Sequence, residues 1–327
     1  IGIAGISVLI SIINQLFATI FTIASVLLLA IIILTDLRAI FYRFDYEPAI
    51  AAESDGKLTI ETLRINRMFA KIIKSHHTPR KNAPVVIMHH GYGSEYKRML
   101  VYAYPVALKG YAVLVYNAPG HGKVLKRNGK KIDERSPGEK NEIIHIMRSL
   151  TQIVDFTKSR DDLGVVGFVG ISLGAVVGLT YGTCNPDVKI VIALAGVHNF
   201  QRTATRNTRF LSLDWITQKS FKQSGLEMDP SDFQDRMVSP EFYIDKEFGF
   251  FDHPVWTDKK TAEKIFLIHA KDDNTIPYWN FNENIKKLDL PNTHYLALEK
   301  GNHWFIRQEH LIIGQIIAWL DEKLKEC

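Results

Sequence analysis

Eight short runs rich in β-branched and aromatic residues, at 58–65, 70–76, 83–90, 111–117, 165–170, 189–196, 264–270 and 294–299, alternate with stretches of helical spacing at 95–109, 139–160, 172–184, 278–288 and 305–326. Strands separated by helices are joined by crossovers, and crossovers build a mostly parallel sheet with helices on its faces. The central runs, VVGFVG (165–170) and KIVIALAG (189–196), are apolar on both faces, as strands covered from both sides are. The expected fold class is therefore α/β, with a mostly parallel, eight-stranded sheet flanked by helices.

One interval interrupts the alternation. About 65 residues separate the strand ending near Gly196 from the one starting at Lys264, far more than a βα connection needs, so a helical cap insertion is expected at about 198–262. Residues 200–262 hold 11 of the 35 aromatic residues, among them Phe210, Trp215, Phe250, Phe251 and Trp256. Bulky side chains there can pack the insertion onto the parent domain, line a site for an apolar substrate, or do both.

The first ionisable residue is Asp36, so all 40 Lys and Arg and all 35 Asp and Glu lie beyond the leader. Leu16 to Leu34 is 19 residues without a charge, close to the ~20 that cross a bilayer core as a helix, which predicts a transmembrane helix. A secretory signal would show a basic n-region, a shorter apolar region and a small-residue cleavage site, and none is evident. Residues 1–13 are also apolar, so the leader is either one long helix or the end of a second span, and the absent initiator Met suggests an N-terminal truncation. The expected division is an anchor at 1–38 and a second domain at 39–327. Arg38 and Arg43 follow the apolar stretch, which by the positive-inside tendency places that domain in the cytoplasm.

The remaining composition excludes several classes. Cys184 and Cys327 offer no disulfide framework. A net charge of +5, with bases interleaved with acids and no nucleic-acid motif, argues against a nucleic-acid partner. No His or Cys spacing suits a metal, and nothing calls for a cofactor.

Chemistry concentrates at Gly170-Ile-Ser-Leu-Gly174, between the apolar run VVGFV and the helical stretch AVVGLTYGTC. A G-x-S-x-G on a strand-to-helix turn exposes the serine Oγ, with glycines letting backbones pass closely; the lesser alternative for Ser172 taken alone is a helix N-cap. An acid and a histidine should then follow at later strand ends. Asp272 and Asp273 follow KIFLIHA, and His303 follows HYLALE in the segment Gly301-Asn-His-Trp304. A serine hydroxyl needs an imidazole to take its proton and a carboxylate to hold the imidazole in the right tautomer.

With these pieces, and with HHGYGSE (89–95) and KGYAVLVYNAPGHGK (109–123), the chain resembles the α/β-hydrolase superfamily over roughly residues 58–326, in its monoacylglycerol-lipase-like and serine-aminopeptidase-like esterase branches. The resemblance implies an α/β-hydrolase fold and a triad of Ser172, Asp273 and His303, the D-x-x-I-P spacing selecting Asp273 over Asp272. It also implies an oxyanion hole from the backbone N–H groups of Leu173 and Tyr92. Asn117 departs from the aspartate usual in relatives, and Lys123-Val124 from the serine after Gly-His-Gly. His76, His77, His145, His198, His253 and His310 lack motif context and are expected at the surface or in packing roles. The implied activity is hydrolysis of a small-molecule carboxylic ester with an apolar acyl group, such as a lipid-derived ester. A peptidase or thioesterase with the same triad competes with it, as does a catalytically silent, membrane-tethered binding module.

Overall fold

The computed structural model describes residues 3–42, 55–127, 129–138, 143–199, 202–203 and 262–324. The chain divides into two compact units, Ile1–Glu47 and Pro48–Cys327.

The first unit contains one continuous helix, α1 (Ile3–Tyr42), so the polar pair Asn14-Gln15 does not interrupt it. Its window Ile12–Ile31 is 20 residues long with a mean hydropathy of 2.1 and none of it buried. The hydroxyls of Thr19, Thr22 and Ser25 donate to the carbonyls of Gln15, Ala18 and Phe21 at 2.8, 2.8 and 2.9 Å. These side chains satisfy themselves along the helix and need no water, a property suited to apolar surroundings.

In the second unit, eight strands form one sheet: β1 (Leu58–Ile65), β2 (Met68–Ser75), β3 (Ala83–His89), β4 (Ala112–Tyr116), β7 (Leu163–Ile171), β8 (Val188–Leu194), β9 (Ile265–Ala270) and β10 (Tyr295–Leu298). Their order is β1-β2-β4-β3-β7-β8-β9-β10. Pairing is antiparallel from β1 to β2 and from β2 to β4, and parallel from there on. A separate hairpin joins β5 (Val124–Arg127) to β6 (Lys130–Asp133). The helices are α2 (Leu100–Leu108), α3 (Ile143–Lys158), α4 (Leu173–Cys184), α5 (Trp279–Leu288) and α6 (Glu309–Leu324).

The core lies where the apolar runs required it. Val85, Val86, Ile87 and Met88 of β3, Ile190, Val191 and Ile192 of β8, and the β9 segment Ile265–Ala270 are buried, as strands flanked on both faces must be. The cap expected at 198–262 lies almost wholly outside the described residues. Its entry is described: the N–H groups of His198 and Asn199 donate to Asn280 Oδ1 at 2.8 and 3.4 Å, and Thr203 Oγ1 does so at 3.1 Å, fastening the end of the β8 connection to α5.

Parallel strands place their carboxyl ends on one edge of the sheet, where the loops carry most of the chemistry available to such a fold. The loops after β3, β4, β7, β9 and β10 all open on that edge.

Candidate active site

Ser172 sits between the last residue of β7 and the first of α4, with φ 57, in the left-handed region. Its N–H donates to Leu194 O at 2.9 Å, holding the turn to β8, and its carbonyl accepts from Val176 N at 3.1 Å as α4 begins. Close approach explains the flanking glycines. A Cβ on Gly170 would lie 2.2 Å from Gly174 O, and one on Gly174 would lie 2.2 Å from His89 O. Leu173 opens α4, so its N–H has no acceptor within the helix, and the positive end of the helix dipole lies beside Ser172.

The acid and the histidine are joined. His303 Nδ1 lies 2.8 Å from Asp273 Oδ2, and both side chains are buried. A carboxylate only accepts, so Nδ1 carries the proton and Nε2 is left as the basic nitrogen. Asp273 Oδ1 accepts from Thr275 N and Ile276 N, each at 2.8 Å. Burial opposes ionisation of Asp273, but the adjacent His303 and His269, through charge and hydrogen bonds, hold its carboxyl well below the usual carboxylate range. His269 Nε2 donates to Ile276 O at 2.8 Å while lying 3.4 Å from Asp273 Oδ2.

Asp272 turns the other way. It accepts from Asn302 N at 2.8 Å and Gly301 N at 3.3 Å, so it shapes the loop that presents His303 without touching the imidazole. The loop is further held by Arg98, whose guanidinium lies 5.1 Å over the Trp304 ring. Ser172 and His303 share no hydrogen bond among the described residues; such contacts commonly tighten only with substrate bound.

The segment after β3 passes directly over the serine. A Cβ on Gly91 would lie 3.2 Å from Ser172 Cβ and 3.7 Å from its Oγ, which brings the expected Tyr92 loop to the nucleophile. Two buried histidines brace this loop. His90 Nε2 accepts from Ala118 N at 3.1 Å, and its Nδ1 donates to Gly91 O at 2.8 Å. His121 Nε2 accepts from Gly93 N at 3.0 Å, and its Nδ1 donates to Pro119 O at 2.8 Å. The Tyr92 ring meets the His121 ring edge-on with centroids 5.9 Å apart.

Asn117 explains its own departure from aspartate. Its Oδ1 accepts from Tyr96 N at 2.7 Å and its Nδ2 donates to Glu134 O at 2.7 Å. A carboxylate could make only the first bond, so an amide suits the junction between the β3 loop and the β5–β6 hairpin.

The structure thus gathers Ser172, Leu173, Tyr92, Asp273 and His303 on one edge of the sheet. It also gives His121, His269 and Asp272 positions that motif reading does not assign, Asp272 entering it only as the alternative acid. His269 stands four residues before Asp273 and seven before Ile276, the two groups it meets, so local spacing could have marked it, whereas His121 of Gly-His-Gly braces Gly93, 28 residues away. Of the histidines without motif context, His198 is buried with Nδ1 2.8 Å from Asn284 Oδ1, a packing role, and His253 lies outside the described residues.

Two expectations follow. On the expectation that Tyr92 N–H serves as an oxyanion donor, His121→Ala, which frees the adjoining Gly93 from its acceptor, should lower kcat on the order of tenfold to a hundredfold, with a smaller change in KM. Steady-state kinetics on a chromogenic substrate would show this, and an unchanged kcat would remove His121 from the brace.

The second concerns His89, fully buried behind Gly174, whose Nδ1 donates to His90 O at 2.7 Å and whose Nε2 has no hydrogen-bond partner among the described residues. Burial pushes its pKa down to about 4; the His90 carbonyl opposes the shift and the charge of His121 adds to it. Between that value and about 6.5 the unfolded chain binds a proton that the folded chain refuses, so stability is full above about pH 6.5 and falls as pH drops toward 4. The loss should reach about 3 kcal/mol. Unfolding midpoints across this window should slope less in His89→Asn than in the wild type, and parallel curves would contradict the assignment.

The family model described as serine aminopeptidase, S33, matches residues 80–247. Hydrolase acrC of Aspergillus aculeatus is 27% identical over 141 residues, which make up 42% of this chain and 31% of that protein, so the chain spans about a third of this relative. Among solved structures, an acylaminoacyl peptidase of Pyrococcus horikoshii aligns with a TM-score of 0.60 at 18% identity, covering 85% of this chain and 43% of that one. Est1E from Butyrivibrio proteoclasticus, with ferulic acid bound, aligns at 0.55 and 16% identity over 81% and 99%. The esterase Pf2001 of Pyrococcus furiosus aligns at 0.55 and 15% identity over 83% and 95%.

Proposed function

Because the chain belongs to the serine aminopeptidase S33 family of α/β-hydrolases, and is thereby a hydrolase, we propose that it cleaves carboxylic esters through an acyl-enzyme on Ser172. The observation that carries this reading is the bonded His303–Asp273 pair on the same sheet edge as the left-handed turn of Ser172.

In this reading His303 Nε2 takes the proton from Ser172 Oγ as Oγ bonds to the ester carbonyl carbon, and the carbonyl oxygen becomes an oxyanion facing the N–H groups of Leu173 and Tyr92. The tetrahedral species collapses, its C–O bond to the leaving group breaks, and His303 gives the proton to the departing alkoxide. Water, deprotonated by the same nitrogen, then attacks the acyl carbon; the proton returns to Ser172 Oγ as the acid leaves. Asp273 holds the imidazole in its productive tautomer throughout.

The anchor belongs to the same proposal. Helix α1 would hold the enzyme in a bilayer, with the catalytic unit on the cytoplasmic side, where a tethered site meets amphiphilic esters at high local concentration. Lipid-derived acyl groups are therefore the favoured substrates.

The family's own description keeps peptide bonds in view. Assaying the full chain on esters of graded chain length beside aminoacyl anilides tests both: ester turnover that rises with acyl length supports the proposal, and anilide turnover without ester turnover replaces it by a peptidase.

A further inference from the structure

The β5–β6 hairpin is charged beyond anything its fold requires. Residues 123–135 contain six Lys or Arg against two Asp or Glu, so this stretch carries +4 of the chain's net +5. The strand register sets Lys126 opposite Lys131 and Arg127 opposite Lys130. Like charges directly opposed across a strand pair destabilise it, and a two-stranded hairpin is marginal in water to begin with. Lys126, Lys130 and Lys131 are exposed, and among the described residues no ion pair engages them.

The same register pairs Leu125 with Ile132, which is 37% exposed. Side chains alternate along a strand, so this apolar pair shares a face with Lys130, and an apolar pair gives way to a basic residue toward the turn at Gly129. At the foot of the hairpin a cavity of about 740 Å³, lined in part by Arg64, Arg67, Asp133 and Arg135, extends the positive surface.

We propose that this hairpin docks onto an anionic lipid surface, its basic residues against the headgroups and Leu125 and Ile132 at the acyl boundary. An exposed basic strand pair with an apolar pair beside it is the composition that interfacial binding requires. Single-stranded nucleic acid would call for aromatic platforms, and residues 123–138 contain no Phe, Trp or Tyr. The same chain also carries the apolar window Ile12–Ile31. At the base, Glu134 N donates to Lys123 O at 3.0 Å and Ser136 N to His121 O at 2.8 Å, so a docked hairpin brings the carboxyl edge of the sheet close to lipid. Docking of this kind does not depend on which bond Ser172 cleaves.

Amide exchange over residues 124–133 tests it, in the full chain reconstituted into vesicles of phosphatidylcholine alone or mixed with phosphatidylserine. Protection should be at least about tenfold greater in the mixed vesicles and should fall at high salt. The double variant Lys130→Glu/Lys131→Glu converts both opposed like-charge pairs into opposite-charge pairs, which strengthens the hairpin itself while lowering its charge by four units. It should exchange as slowly as the wild type, or more slowly, in neutral vesicles and gain nothing from anionic lipid. Equal wild-type exchange in the two vesicles, or a variant that gains as much as the wild type, overturns the proposal. Protection by a homopolymeric RNA with none from anionic lipid would assign the surface to nucleic acid.

Discussion

Ser172→Ala is expected to abolish both ester turnover and labelling by a fluorophosphonate, lowering kcat on the order of 10⁶-fold. The loss is this large because, in the proposed triad, His303 and Asp273 are left with no nucleophile to activate. Alanine has the same Cβ and can occupy the same turn, so the far-ultraviolet spectrum and the unfolding midpoint should stay where they are. Rates and labelling stoichiometry read the result directly. A variant that still hydrolysed esters at close to the wild-type rate would displace Ser172 from the centre of the reaction.

The two neighbouring aspartates should differ sharply. In Asp273→Asn the amide can donate to His303 Nδ1, which favours the tautomer with the proton on Nε2 and leaves Ser172 without a base; a loss of about 10⁴-fold in kcat is expected. In Asp272→Asn a carbonyl oxygen remains to accept from Asn302 N, so the His303 loop keeps its principal tie and the loss should be about tenfold or less. Comparing kcat for the two variants, with the unfolding midpoint as a control, separates a catalytic effect from a structural one. Similar losses, or the reverse order, would undo the assignment of Asp273.

The central strands were legible because burial on both faces demands unbroken apolar runs, and the residues expected at 83–90 lie within a residue of the observed Ala83–His89; the run expected at 58–65 coincides with the edge strand Leu58–Ile65, which is largely exposed and was marked by its β-branched residues instead. Their order in the sheet came only with the structure, since β4 pairs with β2 as well as β3 and no local pattern encodes that. The β5–β6 hairpin went unread because half of its strand residues are Lys or Arg, with Val124, Leu125 and Ile132 too few to form a periodic signal.

The final helix begins at Glu309 and not at 305, because Phe305 is fully buried with φ 59 and Arg307 has φ 64, and two left-handed residues cannot continue a helical turn. The proposed triad residues Ser172, Asp273 and His303 were singled out by short motifs, G-x-S-x-G, D-x-x-I-P and Gly-Asn-His-Trp, whose spacing lies within contiguous residues. His121 acts on Gly93, 28 residues away and brought near by the fold, so no linear pattern singles it out, whereas the partners of His269 lie only four and seven residues along the chain.

The left-handed backbone at Ser172 sets stability against reactivity. A residue with a Cβ costs about 1 kcal/mol in that region, whereas glycine adopts it freely, so Ser172→Gly should yield a protein that is inert and slightly harder to unfold. A fold retained only as a membrane-tethered scaffold would have no use for the strained conformation, and stability alone would favour glycine there. Holding a hydroxyl in that conformation, beneath a loop so close that a Cβ at Gly91 would lie 3.2 Å from Ser172 Cβ, is intelligible as the cost of a nucleophile kept ready, and it weighs against a catalytically silent chain.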